Sequence, residues 1–251
     1  MTVVVKLGGS VVTVKDDPET LDEGAIERAA AAVAGTDEDV VVVHGGGSFG
    51  HHHATRHGVT RTEGTGDANA VREIHGAMNR LNDAIVDALA DAGVPAVPVH
   101  PLSAGSRDEA GGLGLETEQA GTMLGEGFVP VLHGDVIAHA GSGATIVSGD
   151  ELVVALAMGL DADRVGLCSA VPGVLDANDD VIDRIDAFED VADVLGGSDA
   201  ADVTGGMAAK VRTLLDLDTP ASVFALDDLA DFLAGTDPGT LIAGADEPPD
   251  S

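Results

Sequence analysis

Positive charge is scarce in this chain. Twelve Lys and Arg residues stand against 44 Asp and Glu, for a formal net charge of -32. A nucleic-acid backbone or an anionic membrane surface would repel such a protein, so neither is expected as a partner. Long hydrophobic runs are also missing. There is no stretch of about 18 apolar residues, and no basic segment leading into an apolar one with a cleavage site, so neither a membrane span nor a signal peptide is expected. The location this implies is cytoplasmic. Cysteine occurs once, as Cys168, which excludes an internal disulfide; its setting, VGLCSAV, reads as a buried strand thiol.

Lysine and aromatic residues are nearly absent, and Ala, Val, Asp and Gly take their place. A chain this acidic repels itself in dilute buffer but is tolerable where salt screens its charge, the Debye length being about 3 Å at molar ionic strength. The composition therefore points to a halophilic, salt-accumulating cytoplasm. With 44% hydrophobic content over 251 residues the chain can fill a full core. One large domain over 1–245 is expected, followed by a frayed acidic tail, 246–251.

Short apolar strands alternate with helical patterns. Strands are expected at 3–5, 40–43, 96–99 and 129–132, and helices at 21–34, 67–92 and 116–126. In the longest helix, Ile74, Met78, Leu81, Ile85 and Leu89 fall near one face. The segment 137–146 reads as a hairpin that interrupts the order, after which further α/β units run through 151–167 and 210–225. Strands without a polar face, alternating with helices, make a mostly parallel central sheet covered on both sides, an α/β fold of αβα sandwich type.

The chemistry gathers in four glycine turns: KLGGS at 6–10, HGGGSFGH at 44–51, SGDE at 148–151 and DVTGGMAAK at 202–210. Strand carboxyl ends bind ligands in open α/β sheets, and glycine lets backbone N–H groups approach a phosphate. The chain's three lysines, Lys6, Lys15 and Lys210, all lie in or near such turns. Phosphoryl transfer needs cations along the donor phosphates and the transferred group. Two common nucleotide motifs are excluded. Gly45 to Gly50 has P-loop spacing, but His51 and His52 stand where Lys and Ser/Thr belong. Nor does the turn offer a G-x-G-x-x-G with an acidic residue at the end of the next strand, so a dinucleotide fold is a poor fit.

These turns, in this order along nearly the whole chain, resemble the amino acid kinase superfamily. HGGGSFGH, together with Lys15 and VTGGM, is similar to the isopentenyl phosphate kinases within it. That resemblance implies an αβα sandwich, ATP with Mg²⁺ as phosphoryl donor, isopentenyl phosphate as acceptor and commonly a homodimer. Lys6 and the N–H groups of Gly8, Gly9 and Ser10 would hold the ATP phosphates, and Lys15 would stabilise the transition state. Gly46 and Gly47 would face the acceptor and donor phosphates, His51 would hydrogen-bond the acceptor phosphate, and Gly149 would line the acceptor side. Asp150 would orient the lysines, while Gly205, Gly206 and Lys210 would bind the nucleotide. No side chain is assigned to a metal.

A histidine suits the acceptor phosphate because either ring nitrogen can donate to it. His52 and His53 are expected to have no role, since adjacent residues point in different directions. Ile74, Met78 and Leu81 are candidates for an apolar wall around an isoprenoid tail. One departure from the superfamily pattern is Ala170, where an aspartate is usual; Asp176 and Asp179 follow where a lysine is usual. A fosfomycin kinase-like enzyme and a nucleotide-binding regulator without turnover remain alternatives.

Overall fold

The computed structural model describes residues 1–195 and 206–243. Gly205 and the acidic tail lie outside the described residues. The chain runs β1 (Thr2–Leu7), α1 (Gly9–Val12), α2 (Glu23–Ala34), β2 (Asp39–His44), α3 (Gly47–His57), α4 (Ala68–Asp91) and β3 (Ala96–Pro98). It continues through α5 (Pro101–Ala104), β4 (Gly105–Arg107), β5 (Leu113–Leu115), α6 (Glu118–Gly125), β6 (Val129–His133), β7 (Asp135–His139) and β8 (Gly143–Val147). Then come α7 (Gly149–Gly159), β9 (Arg164–Ser169), β10 (Arg184–Ile185), α8 (Ala192–Leu195), α9 (Gly206–Leu215), β11 (Ala221–Ala225), α10 (Leu229–Leu233) and β12 (Thr240–Ile242).

Eight strands form the main sheet in the order β10-β12-β11-β9-β1-β2-β6-β3. All its pairings are parallel except β11 with β12. The inner strands carry valine at nearly every position because both faces are covered. Val4, Val41 and Val43 pack with Leu152, Leu156, Val211 and Leu214 of α7 and α9. Their neighbours Val3, Val5, Val40 and Val42 pack on the other side with Ile26 and Val33 of α2 and Leu81 and Ile85 of α4. Strand alternation thus feeds two helical layers, which is the expected sandwich.

The helix ends are set locally. Asp67 opens α4 by accepting from the Asn69 N–H, and a reciprocal Ser148/Glu151 capping box opens α7. The box fixes the first turn of α7, and with it the direction of Asp150.

The hairpin expected at 137–146 is present as β7 and β8, but it belongs to a second, four-stranded sheet in the order β5-β4-β7-β8. The other two strands, GSR and LGL, have three residues each and carry almost no apolar signal. The second sheet lies against α4, where Val136 and Ala144 pack on Ile74. Helix α3, which the sequence shows only as a glycine and histidine run, forms a full element of 11 residues.

Candidate active site

Parallel registry brings the carboxyl ends of β9, β1, β2 and β6 side by side, and one hydrogen bond steps from each to the next. The Gly8 N–H donates to the Cys168 carbonyl, Gly45 to Leu7 and Gly134 to His44, each at 2.9 Å. The turns that leave these strands therefore sit in a fixed stagger.

Two of the turns interlock. A Cβ on Gly9 would collide with the backbone nitrogen and Cα of Gly47, and a Cβ on Gly47, whose φ is 46°, would collide with Thr13 and the Gly9 carbonyl. Only glycine permits this approach. Thr13 closes the joint: its Oγ1 donates to the Gly9 carbonyl at 2.7 Å and accepts from the Ser48 N–H at 3.0 Å. The first turn and the start of α3 thus move as one piece.

Between them lies the Lys6 side chain, only 10% exposed, with its Nζ 2.6 Å from Asp150 Oδ1 in the first turn of α7. A charge this deep is stable only because it is paired. Above the pair opens a cleft of about 590 Å³. Its lining includes Gly8, Gly9, Ser10, Lys15, Gly46, Gly47, His51, Gly149 and Lys210 beside the Lys6–Asp150 pair. Residues read separately from four turns thus share one cavity.

Two expected positions fall elsewhere. Gly206 does not line the cleft; it opens α9 at φ 61°, and Met207 and Lys210 of that helix reach the cavity instead. Leu81 is fully buried among the sheet and helix side chains rather than lining the cleft, because it lies one turn beyond Met78 on the core side of α4. Ile74 and Met78 do line it, joined by Ile146 of β8. His53, for which no role was expected, turns away from the cleft while His51 and His52 face it. Ala170 is exposed just past Ser169, which is itself part of the lining. Asp176 accepts from the N–H groups of Asn178 and Asp180 at 2.7 and 3.0 Å, so its carboxylate shapes its own loop. Those bonds hold it below the usual carboxylate range.

A second set of polar residues, missed in the sequence, is buried behind the glycine turns. His44 and His133 are neighbours across β2 and β6, their rings stacked with centroids 5.6 Å apart. Each donates its Nδ1 proton to the carbonyl of the following glycine, at 3.1 Å to Gly45 and 3.0 Å to Gly134. Burial pushes His44 down to about 4 and His133 well below its usual range, so both rings are neutral. With Nδ1 protonated, neither Nε2 can donate: His133 Nε2 accepts from the His100 Nδ1–H at 3.1 Å, whereas His44 Nε2 lies 3.1 Å from Asn82 Oδ1, itself an acceptor, and gains no bond from it. His75 differs. Its Nδ1 donates to the buried Asp135 carboxylate at 2.8 Å, which raises its pKa, and Asp135 itself borders the cleft. The repeated His-Gly at 44–45 and 133–134 was the available sequence signal.

The amino acid kinase family model matches residues 1–217. A Haloferax volcanii protein named isopentenyl phosphate kinase is 66% identical over 96% of this chain and 98% of that relative. The chain belongs to the amino acid kinase family, among its isopentenyl phosphate kinases. An isopentenyl phosphate kinase of Methanothermobacter thermautotrophicus is 34% identical over 85% of both chains. A solved isopentenyl phosphate kinase structure superposes with a TM-score of 0.78 at 26% identity, covering 97% of this chain and all of the other. The match to the amino acid kinase family stops before β11, yet the structural likeness runs through it, so the β11–β12 edge is shared with that structure. Among the described residues no helix is long and apolar enough to cross a membrane.

Proposed function

We propose that the protein transfers the γ-phosphoryl group of ATP to isopentenyl phosphate, releasing ADP and isopentenyl diphosphate for isoprenoid synthesis by the alternative mevalonate route. The observation that carries this reading is the 66% identity to the Haloferax volcanii isopentenyl phosphate kinase over 98% of its length. The lining of the cleft supports it, since cations, glycine turns, His51 and the apolar side chains of Ile74, Met78 and Ile146 all border one cavity.

A phosphate monoester is largely dianionic near neutral pH, its second pKa being about 6, so the acceptor oxygen needs no general base. It forms a bond to the γ-phosphorus as the bond to the β–γ bridging oxygen breaks, and the bridging oxygen leaves on ADP. The obstacle is repulsion between two anions, and the remedy is alignment with fixed positive charge. In this reading Lys6, held by Asp150, lies under the transferred group with the N–H groups of Gly8, Gly9 and Ser10. Lys15 neutralises the transition state, and Gly46, Gly47 and Gly149 border the phosphates. His51 donates to the acceptor phosphate, and Lys210 of α9 binds the nucleotide. Mg²⁺ on the donor phosphates would cancel part of their charge, with Asp16, Asp135 and Asp150 the carboxylates that border the cleft; an ion carried mainly by phosphates needs no side-chain cage.

The reading takes residues 1–245 as one kinase domain, working as a homodimer in a salt-rich cytoplasm. Its melting temperature is accordingly expected to rise from dilute buffer to molar KCl, as screening removes the repulsion of a -32 chain. The deciding experiment measures ADP release in molar KCl with isopentenyl phosphate, dimethylallyl phosphate and fosfomycin offered separately. Strongest turnover with isopentenyl phosphate is expected. A preference for fosfomycin, or no acceptor-dependent ADP from folded protein, would overturn the proposal.

A further inference from the structure

Lys15 sits on a short loop, 14–20, that closes on itself: the Val14 N–H donates to the Thr20 carbonyl at 3.0 Å, above an antiparallel bridge between Thr13 and Leu21. Lys15, Asp16 and Pro18 of this loop face the cleft. Its backbone touches the start of α3 through long bonds, the Glu19 N–H to the Ser48 carbonyl at 3.5 Å and the Thr20 N–H to Ser48 Oγ at 3.4 Å, and a side chain adds the shorter ones. Glu19 is held. Its Oε1 accepts from His53 Nε2 at 2.6 Å, and its Oε2 accepts from Arg80 Nη2 at 2.7 Å and Nε at 3.2 Å. The backbone there is left-handed, φ 51°, an uncommon state for a residue with a side chain, which aims the carboxylate away from the cleft.

His53 belongs to α3 and Arg80 to α4, so one carboxylate ties the loop to both helices. His53 is 11% exposed, and its Nδ1 has no hydrogen-bond partner among the described residues. The one hydrogen bond its ring makes is therefore that of Nε2 to Glu19. Consecutive helical residues are about 100° apart, which is why His52 can face the cleft while His53 reaches the opposite side of the loop.

We propose that His53 and Arg80, acting through the Glu19 carboxylate, are positioning residues that set the Lys15 ammonium over the reacting phosphates. This inference rests on the role given to Lys15 above. It explains the third histidine of the HHH run without any contact to substrate, and it makes the loop part of a preorganised site rather than a mobile lid.

The test pairs turnover with amide hydrogen exchange. His53→Ala is expected to lower kcat about tenfold to a hundredfold with KM for isopentenyl phosphate unchanged, the scale of a misplacement near 1 Å. His53→Gln, whose amide can still donate to Glu19, is expected to restore most of the rate. The double variant Lys15→Met/His53→Ala should be no slower than Lys15→Met alone, because His53 acts only through Lys15. In His53→Ala the amides of Val14, Glu19 and Thr20 should exchange faster, and in His53→Gln they should not. A wild-type kcat in His53→Ala, losses that multiply in the double variant, or unchanged exchange in the loop would overturn the proposal. If the wild-type protein does not phosphorylate isopentenyl phosphate, the functional reading fails, and the exchange measurement still decides whether His53 holds the loop.

Discussion

Two groups of buried polar residues, one lining the cleft and one behind its glycine turns, solve the same problem in opposite ways. In the floor, Lys6 and Asp150 keep full charges by pairing at 2.6 Å. Behind the glycine turns, His44 and His133 give up their charge and brace the carbonyls of Gly45 and Gly134 as neutral rings. The difference follows from what each faces. A cation next to migrating phosphate is useful only if it stays charged, whereas a ring that braces a glycine carbonyl need only stay in place. One group would act on the ligand and the other on the backbone.

The sharpest way to break this comparison is to neutralise the floor. Lys6→Met should lower kcat about 10²- to 10³-fold, the scale of removing one preorganised charge contact, and it should also lower the melting temperature by stranding Asp150. Adding Asp150→Asn should recover stability without recovering turnover; recovery of both would mean that the pair is structural.

The histidine group is tested by acid. His44 takes up its proton near pH 4 when folded but at its ordinary 6.5 when unfolded, so falling pH favours the unfolded chain. Stability should be flat above about 6.5 and fall by roughly 3 kcal/mol toward pH 4 on account of this ring. His133 acts in the same direction, while His75, raised by Asp135, opposes them with a contribution present below 6.5 and lost as pH climbs through its raised pKa. His44→Gln cannot titrate, and its melting temperature should depend less on pH between 7 and 4. An unchanged pH dependence would place the acid sensitivity elsewhere.

His51 belongs to neither group; it is half-buried and faces the cleft. His51→Ala should raise KM for the acceptor about 10- to 100-fold, a charge-assisted hydrogen bond being worth about 1.5–3 kcal/mol, and leave ATP affinity intact. Equal loss of both would move His51 from the acceptor to the general scaffold. The smallest effect is expected at Cys168, a third buried group beside the same turns. Burial pushes its thiol up to about 12, so iodoacetamide should not label it until the protein is unfolded.

Much of this arrangement is legible in the sequence because glycine turns and apolar strands leave strong local signals. The αβα layering, the long helix α4 and the convergence of Lys6, Lys15, His51, Asp150 and Lys210 on one cleft follow from pattern and turn chemistry. What escapes is whatever depends on partners distant in the chain. The strands GSR and LGL are strands only because β7 lies beside β4. His44, His75, His100 and His133 come together from two strands, a helix and a loop, and no spacing announces that meeting. Leu81 shows the same limit at smaller scale: helical periodicity puts it near Met78, but only packing decides that one meets the cleft and the other the core.

The joint between Gly9 and Gly47 also bears on how such an enzyme can change. Because neither position has room for a single extra carbon beside the other, the segment that would carry the donor and the segment that would carry the acceptor cannot be exchanged between relatives as separate cassettes. A new acceptor must be accommodated at the side chains around the turns, Ile74, Met78 and Ile146 among them, while the two turns are inherited together.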